Sequence, residues 1–240
     1  MNILAVDSSG KRAGAAIMSD GNIIAEILLN TGLTHSEMLM VVIDKTFELS
    51  KMTPSDIDFF SATTGPGSFT GLRIGISTIK GLSMGVGKMC ISVPTLRAMA
   101  EISQFPDTLI VPVIDARRSR VYSSVYLRNA EGTLSQLITD SVFKVTELYD
   151  IVTSYKKPVS FVGDIGIIKS SGMIDGITTI PLPDSHSFLR ASHVAVTAAK
   201  LLSEGIFCEP ELFNPHYLLP SQAEREYNKN KQQNNIGGLS

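Results

Sequence analysis

Cysteine is scarce in this sequence: 240 residues hold only two, Cys90 and Cys208. They form no metal-spaced cluster and no disulfide framework, so buried free thiols are expected. An excess of one charge is also missing. Lys and Arg number 21 against 23 Asp and Glu, a net charge of −2. A chain that grips a polyanion alone is usually basic, so nucleic acid is expected to be reached only through a partner. No apolar run approaches the roughly 18 residues of a membrane span, and no membrane partner is expected. The opening Met1–Asp7 turns polar too early for a signal peptide, so a cytoplasmic location is expected. The four histidines, His35, His186, His193 and His216, include no pair at metal-ligand spacing. Even His186 and His193 stand about two helical turns apart, too far for one ion, and no metal is expected. What remains is an ordinary globular composition, 43% hydrophobic and 18% charged, with ample core for one large domain or two small ones.

The most informative stretch runs Thr63-Thr64-Gly65-Pro66-Gly67-Ser68-Phe69-Thr70-Gly71-Leu72-Arg73. It lies between a strand-like run, Ile57 to Ala62, and a helix-like run, Leu72 to Met84. A strand that ends in glycines and opens a helix gathers backbone N–H groups at a positive helix end, a place for an anion or a tightly docked neighbour. It is not a phosphate-cradling Walker loop, since no Lys-Ser/Thr pair follows its last glycine. Nor is it a dinucleotide fingerprint, since the third glycine falls one position late. Tight turning and close packing alone would also explain the glycines.

One pattern occurs twice. Strands are expected at Asn2–Val6, Ala13–Met18 and Asn22–Leu29, the first ending at Asp7 and the second and third joined by Asp20-Gly21. A helix from Thr34 to Lys51 and the strand at Ile57 follow. After the glycine turn and its helix come a parallel strand, Cys90–Val93, and a helix capped by Thr95. The second half repeats the order: strands Leu109–Ile114, Arg120–Leu127 and Thr133–Ile138, a helix Thr146–Tyr155 and a strand Val159–Val162. Its first strand ends at Asp115. Two halves that each open on a three-stranded meander ending its first strand in Asp describe a two-lobed α/β architecture. This is the actin-like ATPase, ribonuclease H-like fold, each lobe a mixed sheet with helices. The expected division is residues 1–105, residues 106–220 with a last helix at Phe188–Ser203 near the lobe junction or back on the first lobe, and a polar tail, 221–240.

Four segments carry a family resemblance: Ile3-Leu4-Ala5-Val6-Asp7-Ser8-Ser9, His35-Ser36-Glu37, the run Gly65 to Gly75, and Pro112-Val113-Ile114-Asp115-Ala116-Arg117. In order and position they resemble the TsaB family, formerly YeaZ, over residues 1–126, with weaker likeness to Leu219. The glycine run is shared with the paralogue TsaD. The resemblance implies a bacterial protein needed to make threonylcarbamoyladenosine beside the tRNA anticodon. It implies that TsaD transfers the threonylcarbamoyl group, that this chain is a non-catalytic partner, and that TsaE is a third component with ATPase activity. tRNA would be met only through the complex.

The residues offer little chemistry of their own, and no catalytic residue is expected. His35 and Ser36 are adjacent, so on a helix they point about 100° apart and make no nucleophile–base pair. In the cleft, Asp7 is followed by Ser8, Ser9 and Gly10, but Asp115 by Ala116, Arg117 and Arg118, which replace phosphate-admitting glycines with bulky cations. Weak ATP or ADP binding at Asp7, Ser8 and Ser9 is the residual cofactor expectation. Arg117 and Arg118 are expected to pair with Asp7 or Asp115. The alternative is an independent ATPase or phosphotransferase using Asp7 and Asp115, or a plain homodimeric interaction protein.

A binding role fits better. Met38 to Ile43 is apolar all round a helix, so one side meets its own lobe and the other needs a second cover. Gly71 and Gly75 share one face of the next helix and Gly81 and Gly85 another, at about 1 kcal/mol each relative to Ala. Such a cost suits close helix approach. The expected docking set for TsaD, or for a second copy when the chain is isolated, is His35, Met38, Leu39, Val42, Phe69, Leu72, Arg73 and Ile76. In it Phe69 is the aromatic anchor and Arg73 a rim contact.

Overall fold

A computed structural model describes residues 1–32, 34–183 and 187–219; His186 and the tail 221–240 lie outside the described residues. The chain forms two mixed sheets. The first has the order β3-β2-β1-β4-β5, from β1 (Asn2–Asp7), β2 (Ala13–Ser19), β3 (Asn22–Leu29), β4 (Phe59–Gly65) and β5 (Met89–Pro94). The second has the order β8-β7-β6-β9, from β6 (Thr108–Asp115), β7 (Arg120–Arg128), β8 (Leu134–Lys144) and β9 (Val159–Gly163). In each, an antiparallel meander is followed by a parallel strand beside its first member, so the repeated pattern becomes a repeated topology.

β1 shows why its residues suit this place. Successive side chains point to opposite faces, and both faces are covered. Leu4 and Val6 meet the core under α1 (His35–Ser50) and α2 (Phe69–Val86). Ile3 and Ala5 meet the core under α3 (Thr95–Ala100) and α6 (Ala191–Ser203). That second core also takes Ile110, Tyr126 and Val162 from the second sheet, and so joins the lobes. A third core packs Leu109, Val111 and Val113 against α4 (Val145–Ser154) and Ile168 of α5 (Gly166–Ser170). At the junction Glu101 is buried with Arg128, to which it is paired at 3.2 Å, and it also accepts from Lys200 at 2.8 Å.

Several boundaries differ from expectation for local reasons. α2 begins at Phe69 rather than Leu72, because the Ser68 hydroxyl accepts the Gly71 N–H at 3.2 Å and caps the helix earlier. Thr95 is the first residue of α3 and not its cap; Pro94 holds that place, and the buried Thr95 hydroxyl has no hydrogen-bond partner among the described residues. β8 runs on to Lys144, with register shifts absorbing its extra residues. α6 starts at Ala191 rather than Phe188 and lies on β1, β2 and β5 of the first sheet.

The stretch after α6 returns along the first lobe as a strap. Cys208 exchanges both backbone hydrogen bonds with Cys90 on the edge strand β5. Phe213 is fully buried in the core of α1 and α2. The His216 N–H donates to the Thr64 carbonyl at 2.7 Å. Both cysteines are free thiols, and burial pushes the Cys90 thiol up to about 11.

Candidate functional site

The glycine-rich turn folds down onto the Asp7 turn. Asp7 is buried at the end of β1, where its Oδ1 accepts from the Ser9 N–H at 3.0 Å, the Ser9 hydroxyl at 2.7 Å and the Thr63 hydroxyl of β4 at 2.9 Å. Burial raises its carboxyl above the ordinary range, with those hydrogen bonds opposing. The Ser8 hydroxyl donates to the Gly71 carbonyl at 2.8 Å, and the Ser68 N–H to the Ser9 carbonyl at 2.7 Å. A Cβ at Gly67 would strike Ser9, and one at Gly71 or Gly75 would strike Ser8. These glycines let one turn of the chain lie against another. The structure thus brings Asp7, Ser8 and Ser9 together, but their side chains are bonded within the chain.

Asp115 is exposed at the end of β6. It accepts the Arg117 N–H at 2.7 Å, while its own N–H donates to Asp164 at 3.0 Å. The ion pairs expected for Arg117 and Arg118 are absent among the described residues. Nor do the described residues hold a cluster of three or more His, Cys, Asp or Glu able to take a metal.

The docking set needs correction. Leu39, Val42, Leu72 and Ile76 are all core residues, 0–4% exposed, beneath α1 and α2. Their spacing of three and four marks the inward stripe of each helix. His35 is an internal latch whose Nε2 lies 2.8 Å from the Gly10 carbonyl, with its ring against Gly71. Phe69 is already engaged: Tyr217 of the strap stacks on it at 4.7 Å, and the Arg73 guanidinium sits 4.0 Å from its centroid. Arg73 Nε also donates to the Tyr217 hydroxyl at 3.1 Å. Met38 is half-buried.

What these helices leave outside is a different set. On α1, Met40 is 49% and Val41 54% exposed; on α2, Met84 is 54% exposed. Ser77, Gly81 and Gly85 recur every four residues on α2, and nothing lies within 4 Å of a Cβ placed at either glycine. A cavity of about 430 Å³ opens on α1, lined by Met40, Asp44, Phe47 and Met52 and, from α2, by Leu82. The sequence signal for this face was the pair Gly81 and Gly85 and the run Met38 to Ile43, read one helical step off. Among the described residues no helix is long and apolar enough to cross a membrane.

Comparison with known proteins places the chain. The family model described as TsaD, tRNA N6-adenosine threonylcarbamoyltransferase, matches residues 23–225. The tRNA threonylcarbamoyladenosine biosynthesis protein TsaB of Bacillus subtilis is 31% identical over 163 residues, covering 68% of this chain and 71% of that protein. TsaB of Escherichia coli is 28% identical over 229 residues, covering 91% and 94%. Among solved structures, YeaZ from Pseudomonas aeruginosa superposes with a TM-score of 0.72 at 21% identity, covering 90% of this chain and 99% of that one, a likeness of fold. With two actin-like lobes, the repeated Asp-ended meanders and the closed glycine turn, the chain belongs to the TsaB (YeaZ) family.

Proposed function

We propose that this chain is a non-catalytic subunit that docks TsaD and supports transfer of threonylcarbamoyl to the tRNA adenosine beside the anticodon. TsaE joins the system as a separate component, and tRNA is met through the assembled complex. The observation that carries this reading is the open outer surface of the two helices, with Met40 and Val41 exposed on α1 and, on α2, Met84 exposed in the same helix as the bare backbone of Gly81 and Gly85. Apolar side chains next to glycines suit a second helix at close range. In the isolated chain the same face would be covered by a second copy. Asp7, Ser8 and Ser9 serve the turn that positions α2 and hold no nucleotide in this reading.

The test is reconstitution with tRNA, threonylcarbamoyl-adenylate, TsaD and TsaE, with and without this chain. Modified tRNA should require the chain, and the chain without TsaD should make none. Gly81→Arg places a large cation where nothing now stands, so the fold is kept. Forced into a close helix contact, that charge should weaken co-purification with TsaD at least tenfold, a loss of about 1.4 kcal/mol or more. Unchanged affinity in a folded Gly81→Arg protein would remove this face from the interface.

A further inference from the structure

The second lobe holds a cavity that the docking reading does not use. In the pairing of β7 with β8, Arg120 stands directly opposite Lys144. Like charges in that relation destabilise a sheet. The turn before β7 brings a third cation to the same place. Arg117, Arg118 and Ser119 all have positive φ, 64°, 56° and 55°. Each such non-glycine residue costs about 1 kcal/mol or more. That turn helps to enclose a cavity of about 430 Å³ lined by Arg118, Ser119, Arg120, Lys144, Thr146 and Ser170.

The nearby carboxylates leave most of this charge unanswered. Glu147 accepts the Lys144 N–H at 2.9 Å and lies 3.7 Å from its ammonium, in an exposed pair. Asp115 and Asp164 accept the backbone N–H groups of Arg117 and Asp115 and form no ion pair with a cation among the described residues. Arg118 and Arg120 form no ion pair among the described residues. The first turn of the ten-residue helix α4 forms part of the wall and adds the positive end of its dipole. Two guanidinium forks, an ammonium, a helix start and the hydroxyls of Ser119 and Thr146 together are the donor set a phosphate group takes, while the Ser170 hydroxyl donates to the Ile167 carbonyl.

We propose that this cavity binds a phosphate group, held by Arg118, Arg120 and Lys144 at the start of α4. The phosphate would be either a diester of an RNA backbone or part of a free phosphorylated small molecule. The proposal goes beyond the docking reading and stands on a different lobe, so either can fail without the other.

The experiment titrates the full chain with pyrophosphate at constant ionic strength, following amide shifts and melting temperature, and in parallel measures binding of unmodified tRNA to the chain alone and together with TsaD. Pyrophosphate should raise the melting temperature and shift the Arg118–Arg120 and Val145–Thr146 amides. Arg118→Ala and Lys144→Gln, both at exposed side chains, should each weaken pyrophosphate binding about tenfold. Lys45→Gln on α1 should leave it unchanged. If the two variants also weaken tRNA binding, the ligand is an RNA phosphate; if they spare tRNA, it is a free phosphorylated molecule. Equal stabilisation by sodium chloride, or pyrophosphate binding that survives both variants, overturns the proposal.

Discussion

One helix contains its own controlled experiment. Gly71, Gly75, Gly81 and Gly85 all lie in α2, where each interior glycine costs about 1 kcal/mol relative to Ala. At Gly81 a new methyl meets nothing within 4 Å, so Gly81→Ala should recover that amount in the isolated chain. For a chain of this size it raises the melting temperature by about 2–4 °C. Gly85, next to the helix end, should gain less. At Gly71 the same methyl is driven into the backbone carbonyl of Ser8, with the His35 ring beside it. Overpacking of that kind costs about 1–3 kcal/mol, which outweighs the gain in helix propensity. Gly75→Ala displaces the Ser8 hydroxyl from the Gly71 carbonyl and gives up a hydrogen bond of about 1 kcal/mol, leaving little net change. Thermal and urea unfolding followed by circular dichroism would rank the variants Gly81→Ala above Gly75→Ala above Gly71→Ala. If Gly81→Ala and Gly71→Ala shift stability with the same sign and size, the separation of α2 into a packed face and an open face is wrong. Docking supplies a second axis: Gly81→Ala should stabilise the free chain while weakening its hold on TsaD.

Two further outcomes follow from buried charge. Because the Asp7 carboxyl titrates above its ordinary value of 3.8 in the folded chain, ionising it costs stability as pH rises from that value to the folded one, and no cost remains below it. Asp7→Asn, whose Oδ1 can accept the same three hydrogen bonds, should therefore gain on wild type between pH 4 and pH 7 in urea unfolding. A pH-independent difference would refute this. Glu101→Gln removes the carboxylate from buried Arg128 and should cost about 3 kcal/mol, read in the same assay. A cost under about 0.5 kcal/mol would show that the carbonyls of Ala100, Ser103 and Gly132 suffice for that guanidinium.

The sheets were legible because strands advertise themselves twice, by alternation and by their turns. Asp20-Gly21, both at positive φ, joins β2 to β3 where the sequence expects it. The Asp-ended meander, repeated at Asp7 and Asp115, became two sheets of one topology. The outer faces of α1 and α2 were less legible. In α1 and α2 the strongest apolar spacing, Leu39 with Val42 and Leu72 with Ile76, is the spacing of a core stripe, and the core claimed it. Periodicity finds a helix's buried face and says little about which outer face meets a partner. Gly71 and Gly75 were equally opaque, since their neighbour Ser8 lies 63 residues from Gly71 and comes close only in the folded chain. The basic cavity was hidden for the same reason. Arg120 and Lys144 look unrelated until β7 and β8 pair.

The strap from Cys208 to Tyr217 ties the order of synthesis to the order of assembly. The first lobe leaves the ribosome early, yet one face of its sheet lacks α6, its edge strand lacks Cys208 and its core lacks Phe213 until much of the second lobe has been made. An early collapse of residues 1–105 would display an unpaired β5 edge and an uncovered apolar face, features that invite association with other chains. The half that is translated first is therefore the half that matures last, and a nascent chain halted before α6 should need chaperone protection that the finished one does not.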